Sequence, residues 1–492
     1  MAAPLWIFAD QLGPHVHSTP EHVDREVVMV ESAGALRRRP AHRQKVHLLL
    51  SGMRHLAAEL GDRATYIKAE TYREAIESLG RPVIVHEPTS RAAEALVRRM
   101  QDDGLVEKIL PIPTFALSRA DFADWAGNKK KFIMENFYRD QRRRFDILME
   151  GELPTAGAWN LDVENREKPP KGQRTLDVPA PWWPTEDEID DTVRTDLDAM
   201  DIEWLGEDGP RLFAVTADEA QQALTTFVAD RLDTFGPYED AVMADDWTMS
   251  HSLLSVPLNM GLLHPLDAVH AAEQAYRDGN APLASVEGFV RQIIGWREYV
   301  WHLYWHLGED YANRNEMGAH TPLPSWFADL DADAVTAACL SDALRGVRDR
   351  GWVHHIPRLM ILGNHALQQG YDPRELTDWY TANFVDGFTW VMPVNVVGMS
   401  QHADGGVIAS KPYSSGGAYI DKMTNHCKGC AFDPKKRLGD DACPFTAGYW
   451  AFTHRHRERL GGNPRTSRAV SSMNRLKDLD AVLEQERHRE SF

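Results

Sequence analysis

The chain is 492 residues long, 43% hydrophobic and 9% aromatic, enough for two or three domains with sizeable cores. Its formal charge of −19 argues against a nonspecific, charge-driven nucleic-acid binder, though not against a local basic face. No run of about 18 apolar residues offers a membrane span, and the opening LWIFADQL follows no basic segment with a small-residue cleavage site; with only four cysteines, a reducing cytoplasm is the expected compartment.

In chain order, PLWIFADQL (4–12), EVVMVES (26–32), ATYIKA (64–69), RPVIVHEP (81–88) and EKILPIP (107–113) read as short, continuously apolar strands. Amphipathic segments at 40–60, 71–80 and 89–104 separate them. Strands alternating with helices predict a doubly wound parallel sheet. Ligands of such sheets sit beyond the carboxyl ends of the strands, which makes Asp10 and Gln11 candidate contacts. An ordinary strand-end turn is the plain alternative. Residues 114–150 read as helical and basic, with KKK at 129–131 and RDQRRR at 139–144. A solvated helix face competes there with a nucleic-acid contact. The Pro-, Gly- and acid-rich stretch 151–210 reads as a surface linker, and from about 211 the pattern is helical to the end.

The cysteines fall in the last third. Cys339 stands alone, and Cys427, Cys430 and Cys443 follow as C-x2-C-x12-C-P. Such a set suits an iron–sulfur cluster or a structural zinc; unrelated core cysteines are the bland alternative. Four further stretches carry candidate chemistry. WTMSHSLLSVPLNMGLL (247–263) offers backbone N–H groups and hydroxyls at a helix start, where a phosphate or a simple cap would fit. SVEGFVRQIIGWREYVWHLYW (285–305) sets Glu287, Arg291 and Arg297 in an aromatic helix, which alone would read as a buried ion-pair network. GWVHHIPRLMILGNHA (351–366) and DWYTANFVDGFTWVMPVNVVGMSQHADGG (378–406) complete the set.

Taken in order, S-x-L-S, WRE, the His-His-x-x-Arg helix and an Asp-Gly 28 residues beyond Arg358 resemble the FAD-binding domain of the photolyase/cryptochrome superfamily. HHIPRLM, GMSQHADGG, KPYSSGGAYI (411–420) and the cysteine pattern narrow the resemblance to the prokaryotic branch with a [4Fe–4S] cluster, which holds bacterial (6-4) photolyases and related cryptochromes. The resemblance runs from ADQL (9–12) to CPF (443–445). It implies an α/β antenna domain over 1–140, an interdomain linker over 141–225 and a mainly α-helical FAD-binding domain over 226–492.

The resemblance implies residue roles as well. Ser252, Leu253, Leu254 and Ser255 would hold the FAD pyrophosphate, with Glu287, Arg291, Arg358, Asp386 and Asn395 around the flavin. Asp10 and Gln11 would meet a 6,7-dimethyl-8-ribityllumazine antenna. Trp379 and Tyr380 would pass electrons, with Trp390 as a side branch; Trp379 precedes Asp386 by seven residues, two helical turns if the helix continues. Trp296, Arg297, Tyr413 and Tyr419 would wall the pocket for a flipped lesion. His355, with His354 beside it, would donate the proton that a (6-4) product needs. Cys339, Cys427, Cys430 and Cys443 would ligate the cluster. The sequence departs from the family at Phe388, where relatives have Tyr, at Met392, and at the outer tryptophan, for which Trp326 is displaced. The implied activity is light-driven repair of UV-damaged DNA by a monomer, in the first place of (6-4) products. A blue-light photoreceptor is the alternative, and a nucleotide-binding protein with a structural zinc the non-photochemical one.

Overall fold

The computed structural model describes residues 2–492. The five strands of its main sheet are the five apolar runs: β1 (Leu5–Ile7), β2 (Val27–Ser32), β3 (Ala64–Ala69), β4 (Val83–His86) and β5 (Val106–Leu110). They form one parallel sheet in the order β3-β2-β1-β4-β5. β1, β2 and β4 are buried on both faces, which explains their uninterrupted hydrophobicity. The connecting helices, Arg43–Leu60, Tyr72–Ser78 and Arg91–Asp102, begin at His42, Thr71 and Ser90, whose side chains each accept a backbone N–H. The chain order reverses between β1 and β4, so the ligand crevice of this sheet lies beyond their carboxyl ends.

The boundary at 140 falls inside the helix Met134–Phe145. That helix packs on the 291–297 segment, where a Cβ on Gly295 would meet Tyr138 at 3.3 Å. Its basic run is not wholly solvated: Arg142 is fully buried, donating to the carbonyls of Ile147 (3.2 Å) and Trp159 (3.0 Å). Nor is the linker free of structure. Glu188–Ala199 is a helix with a reciprocal capping box between Asp187 and Asp190. It packs on Arg43–Leu60, with Asp190 fully buried between His47, Ser51 and Arg211.

The remainder is helical. Three of its segments are π-helical: Arg291–Arg297, Pro357–Gly363 and Val394–Ser400. Insertions of this kind are rare and concentrate at functional sites, and here each one carries residues singled out in the sequence. No helix among the described residues is long and apolar enough to cross a membrane.

Candidate active site

The site is built around one ion pair. Arg358 donates from Nη1 to Asp386 Oδ1 (2.8 Å) and from Nη2 to Oδ2 (3.0 Å), while its Nε is spent on the Val353 carbonyl (2.6 Å). This two-pronged geometry fixes the guanidinium in plane and position. The buried Asp386 also accepts from Ser255 Oγ (2.7 Å), and its carbonyl from Asn259 Nδ2 (3.2 Å). Trp352 Nε1 in turn donates to Ser255 Oγ at 3.3 Å. From the α/β side, Lys45 Nζ donates to the carbonyls of Thr381 (2.7 Å) and Gly387 (2.8 Å), bracketing Asp386. Burial pulls Lys45 down to about 8, against the pull of Asp386. Lys45 and Trp352 were not legible as site residues, because their roles exist only once distant segments meet.

Ser252–Ser255 does form a tight turn beside this pair, with Leu253 at a left-handed φ of 58° and the five-residue helix Ser255–Asn259 following. Glu287 and Arg291 lie in a second polar nest. Glu287 Oε2 accepts from the Leu161 N–H (2.9 Å), and Arg291 Nη1 donates to Asp162 (3.1 Å), pinning the linker to the helical domain. Glu239 stands 3.7 Å from Arg291 Nη2, and burial pushes its carboxyl up to about 8. Arg291 Nε lies 3.3 Å from Glu287 Oε1, so the two charges compensate each other inside the nest. This is the buried ion-pair network that the segment alone suggested. Asn395 donates back to the Val391 carbonyl in its own helix (2.9 Å).

The two adjacent histidines have different surroundings. His354 is buried against the His251 ring, 4.3 Å away and nearly parallel, and neither of its nitrogens has a partner. His251, from the S-H-S turn, was passed over in the sequence. His355 alone between Trp352 and Pro357 is exposed. It opens to solvent on one side with protein packed around the rest, and that desolvation, with Arg358 nearby, lowers its pKa to about 4. Next to it, Trp296, Tyr413 and Tyr419 pack on one apolar cluster with Ile356, Leu359 and Met360. These three aromatic side chains share one cluster, and Arg297 does not join it. Arg297 turns away: its guanidinium lies 4.3 Å over Phe115 and donates to the Leu258 carbonyl (3.0 Å), at the junction with the α/β domain. A long side chain one residue after Trp296 points to another face, so it does not line this pocket.

Aromatic contacts lead away from Arg358. Its guanidinium lies 4.3 Å from the Phe384 ring; Phe384 stacks on Tyr380 (5.2 Å), Tyr380 meets Trp379 (5.0 Å), and Trp379 meets Phe327 (4.7 Å) and through it Trp326 (5.6 Å). Trp379 donates its indole N–H to the Phe327 carbonyl (3.1 Å). The helical-turn argument for Trp379 fails, since its helix ends at Asn383 and Asp386 lies in the following turn. The connection runs through Tyr380 and Phe384 instead. Trp390 belongs to a separate buried group with Phe115 and Trp301.

In the α/β domain the two candidate contacts part company. Asp10 receives a hydrogen bond from Thr89 across the β1/β4 crevice, and burial raises its carboxyl to about 6. Gln11 is fully buried and spent on the turn itself, accepting from the Phe8 N–H (3.2 Å) and donating to the Glu87 carbonyl (3.0 Å). For Gln11 the strand-end turn is the correct reading.

All four cysteines are free and join one apolar cluster, Cys339 and Cys443 buried and Cys427 and Cys430 half-buried. Cys339 enters from the helix Ala338–Arg350 and Cys443 caps Pro444–Arg455. Burial and mutual repulsion push the Cys427 thiol up to about 12. Among the described residues, the one group of three potential ligands with all atoms within 4.8 Å is His55, Asp187 and Asp190, whose carboxylates are taken up by the capping box, His47, Ser51 and Arg211.

The family model for "Deoxyribodipyrimidine photo-lyase-related protein" matches residues 5–213. A curated relative, the (6-4) photolyase of Agrobacterium fabrum, is 37% identical over 503 aligned positions, covering 97% of this chain and 96% of that protein. An uncharacterized protein of Acanthamoeba polyphaga mimivirus, R853, is 36% identical over 86 residues, 16% of this chain and 66% of its own length. A crystal structure of a bacterial class III photolyase from Agrobacterium tumefaciens superposes with a TM-score of 0.58 at 17% identity, covering 99% of this chain and 96% of that one. That likeness is one of fold.

Proposed function

The chain belongs to the photolyase-related branch of the photolyase/cryptochrome superfamily, and we propose on that premise that it repairs UV-damaged DNA in a light-driven reaction, with the (6-4) photoproduct as its lesion. The observation that carries the lesion assignment is the open His355, one residue before Ile356 of the Trp296, Tyr413 and Tyr419 cluster and three before Arg358 of the ion pair. A (6-4) product needs a proton moved between its bases, and an imidazole at the pocket mouth can supply one. The apolar and aromatic wall suits a dinucleotide flipped out of the duplex, whose damaged bases stack weakly and cost little to extrude. The photoreceptor alternative finds no comparable support, since its full-length curated relative bears an enzyme's name.

The residues fit FAD. Ser252–Ser255 would face its pyrophosphate and Arg358 with Asp386 its ring, with Glu287, Arg291 and Asn395 nearby. Bound there, FAD supplies light absorption and single-electron chemistry. Arg358 holds a positive charge and Asp386 an acceptor at the ring, Ser255 and Asn259 fix the orientation of Asp386, and Trp379 with Tyr380 offers electrons from the protein side. The four cysteines are assigned to a [4Fe–4S] cluster. No three of their sulfurs close to within 4.8 Å, wider than the ~3.8 Å edge of a zinc tetrahedron with Zn–S about 2.3 Å. A lumazine antenna would meet Asp10, and not Gln11, at the β1/β4 crevice. The protein works on this reading as a cytoplasmic monomer. Oligonucleotides bearing a (6-4) product or a cyclobutane dimer, incubated in light and in darkness, test the assignment: light-dependent restoration of the first supports it, and restoration of the cyclobutane dimer alone refutes the lesion call.

A further inference from the structure

A further run of aromatic rings leaves the Arg358–Asp386 pair toward a different surface. Trp352, 4% exposed, has the Arg358 guanidinium 5.6 Å from its ring centre. Trp247 meets it edge to face at 5.6 Å, and Trp183 follows 5.8 Å beyond. Trp183 is 40% exposed, one of few large apolar side chains open to solvent. The three indoles come from the linker (183), the segment before the S-H-S turn (247) and the approach to the His-His helix (352). We propose that Trp352, Trp247 and Trp183 form a second electron route between the surface and the cofactor site, separate from the Trp379 route; this rests on the flavin reading above.

Two features single this run out. The first is its inner end. The Trp352 indole N–H donates to Ser255 Oγ, which donates to Asp386 Oδ2, so a proton has a built path off the indole when an electron leaves it. The second is the contrast with Trp390, Trp301 and Trp305, whose rings are spaced as closely, at 5.6 and 5.5 Å. All three of those indole nitrogens lack a partner, and Arg297 and Arg119 face the end rings at 5.5 and 4.3 Å. An oxidised indole there could neither shed its proton nor escape two cations. Cations face this run as well: Arg358, 5.6 Å from Trp352, is neutralised by its pair with Asp386, and Arg350 lies 4.8 Å over Trp247. That makes Trp247 the hardest member of its run to oxidise and the Trp352 route the slower of the two.

The step balances. One electron leaves Trp352 for the cofactor, its Nε1 proton passes to Ser255 Oγ, and the Ser255 proton passes to Asp386. Trp247 returns one electron to Trp352, the protons move back, and Trp183 then refills Trp247. A soluble thiol supplies one electron to Trp183 from solution.

The test uses the holoprotein with a soluble thiol, reading photoreduction from flavin absorbance and mapping tryptophan oxidation by peptide mass spectrometry after illumination in air. Trp379→Phe should retain roughly a tenth of the parental rate, and adding Trp247→Phe should remove about ten-fold more. Adding Arg350→Gln to Trp379→Phe should raise the residual rate, which a purely packing role for these rings would not do. Trp183 should be oxidised in the parent and spared in Trp247→Phe. If Trp247→Phe fails to fold, Trp183→Phe, on the surface, gives the same kinetic comparison. Equal rates with and without Trp247 or Trp183, with Trp183 unoxidised in the parent, overturn the route while leaving the flavin reading standing. A purified protein that holds no flavin overturns that reading and this route with it.

Discussion

His355 has the strongest predicted effect on repair chemistry. With its pKa lowered to about 4 in the free protein, only about one molecule in a thousand carries a protonated His355 at pH 7. A cationic donor therefore has to be created by the substrate. A lesion phosphate placed about 5 Å from the ring would contribute ~3 kcal/mol at an effective dielectric of about 20, roughly two pKa units. That brings the bound-state value near 6 and the protonated fraction at pH 7 to about one in ten. Because the donor is the protonated form, repair should be fullest at acid pH and fall as pH rises through about 6. His355→Ala should lose about 10²-fold in single-turnover repair yield and also lose this pH dependence, while flavin binding stays intact. His354→Ala should instead disturb the packing against His251 and leave the shape of the profile unchanged. The assay is repair per flash of pre-reduced enzyme on a (6-4) oligonucleotide between about pH 5 and 8. A flat parental profile, or a His355→Ala variant repairing at the parental rate, refutes the argument.

Three other outcomes follow from the same geometry. Cys430→Ala should yield insoluble or cluster-free protein that has also lost FAD, because the four thiols staple segments from 339 to 443 into one apolar cluster; a soluble, flavin-loaded variant with the parental spectrum contradicts this. Asp386→Asn breaks a two-pronged pair whose Arg358 side chain is 18% exposed, so it should cost about 2–4 kcal/mol, below the usual range for a wholly buried pair, read from urea unfolding together with flavin content; an unchanged midpoint and full flavin occupancy count against the pair. Acid should destabilise the fold early. His17 and His365, both buried, fall to about 4 and about 3 against an unfolded value of 6.5. The unfolded chain then binds protons first as pH drops, so stability is complete above about 6.5 and is lost toward 4. The slope approaches about 1.4 kcal/mol per group and pH unit below the unfolded value, so the two together should remove about 3 kcal/mol between pH 6.5 and 5. Equal unfolding midpoints at those two pH values would show that the histidines are not held neutral.

What could be read in the sequence was what local pattern dictates. The strands β1, β2 and β4 were legible because a strand buried on both faces must be apolar throughout, and the pairing of Arg358 with Asp386 only through the family resemblance. Failures arose where a neighbour in sequence is not a neighbour in space. Trp296 and Arg297 are adjacent, yet one packs on the cluster of Ile356 and Leu359 and the other lies over Phe115 at the domain junction. Asp10 and Gln11 are adjacent, yet one faces the crevice and the other closes its own turn. The helix Glu188–Ala199 was missed although its acidic capping box and the spacing of Ile189, Val193 and Leu197 announce it; proline and charge on either side masked the period. No local signal marked His251 or Lys45, whose roles come from contacts with residues about 100 and more than 300 positions away.

Lys45 also bears on how the two domains divide the work. The helix Arg43–Leu60 starts by gripping the other domain. His42 donates its N–H to the Ala382 carbonyl (2.9 Å) and places its ring on that of Arg348 (3.0 Å), Gln44 donates to the Asp349 carbonyl (2.7 Å), and Lys45 holds Thr381 and Gly387. Those carbonyls belong to the two backbone segments that flank Trp352 and Asp386. Gly387 has no room for movement there, since even a Cβ would meet the Tyr380 carbonyl at 2.6 Å. A group of donors from the α/β domain thus sets the backbone on which the Asp386 carboxylate stands. The α/β domain is in this sense a structural support of the candidate site as well as a candidate antenna holder.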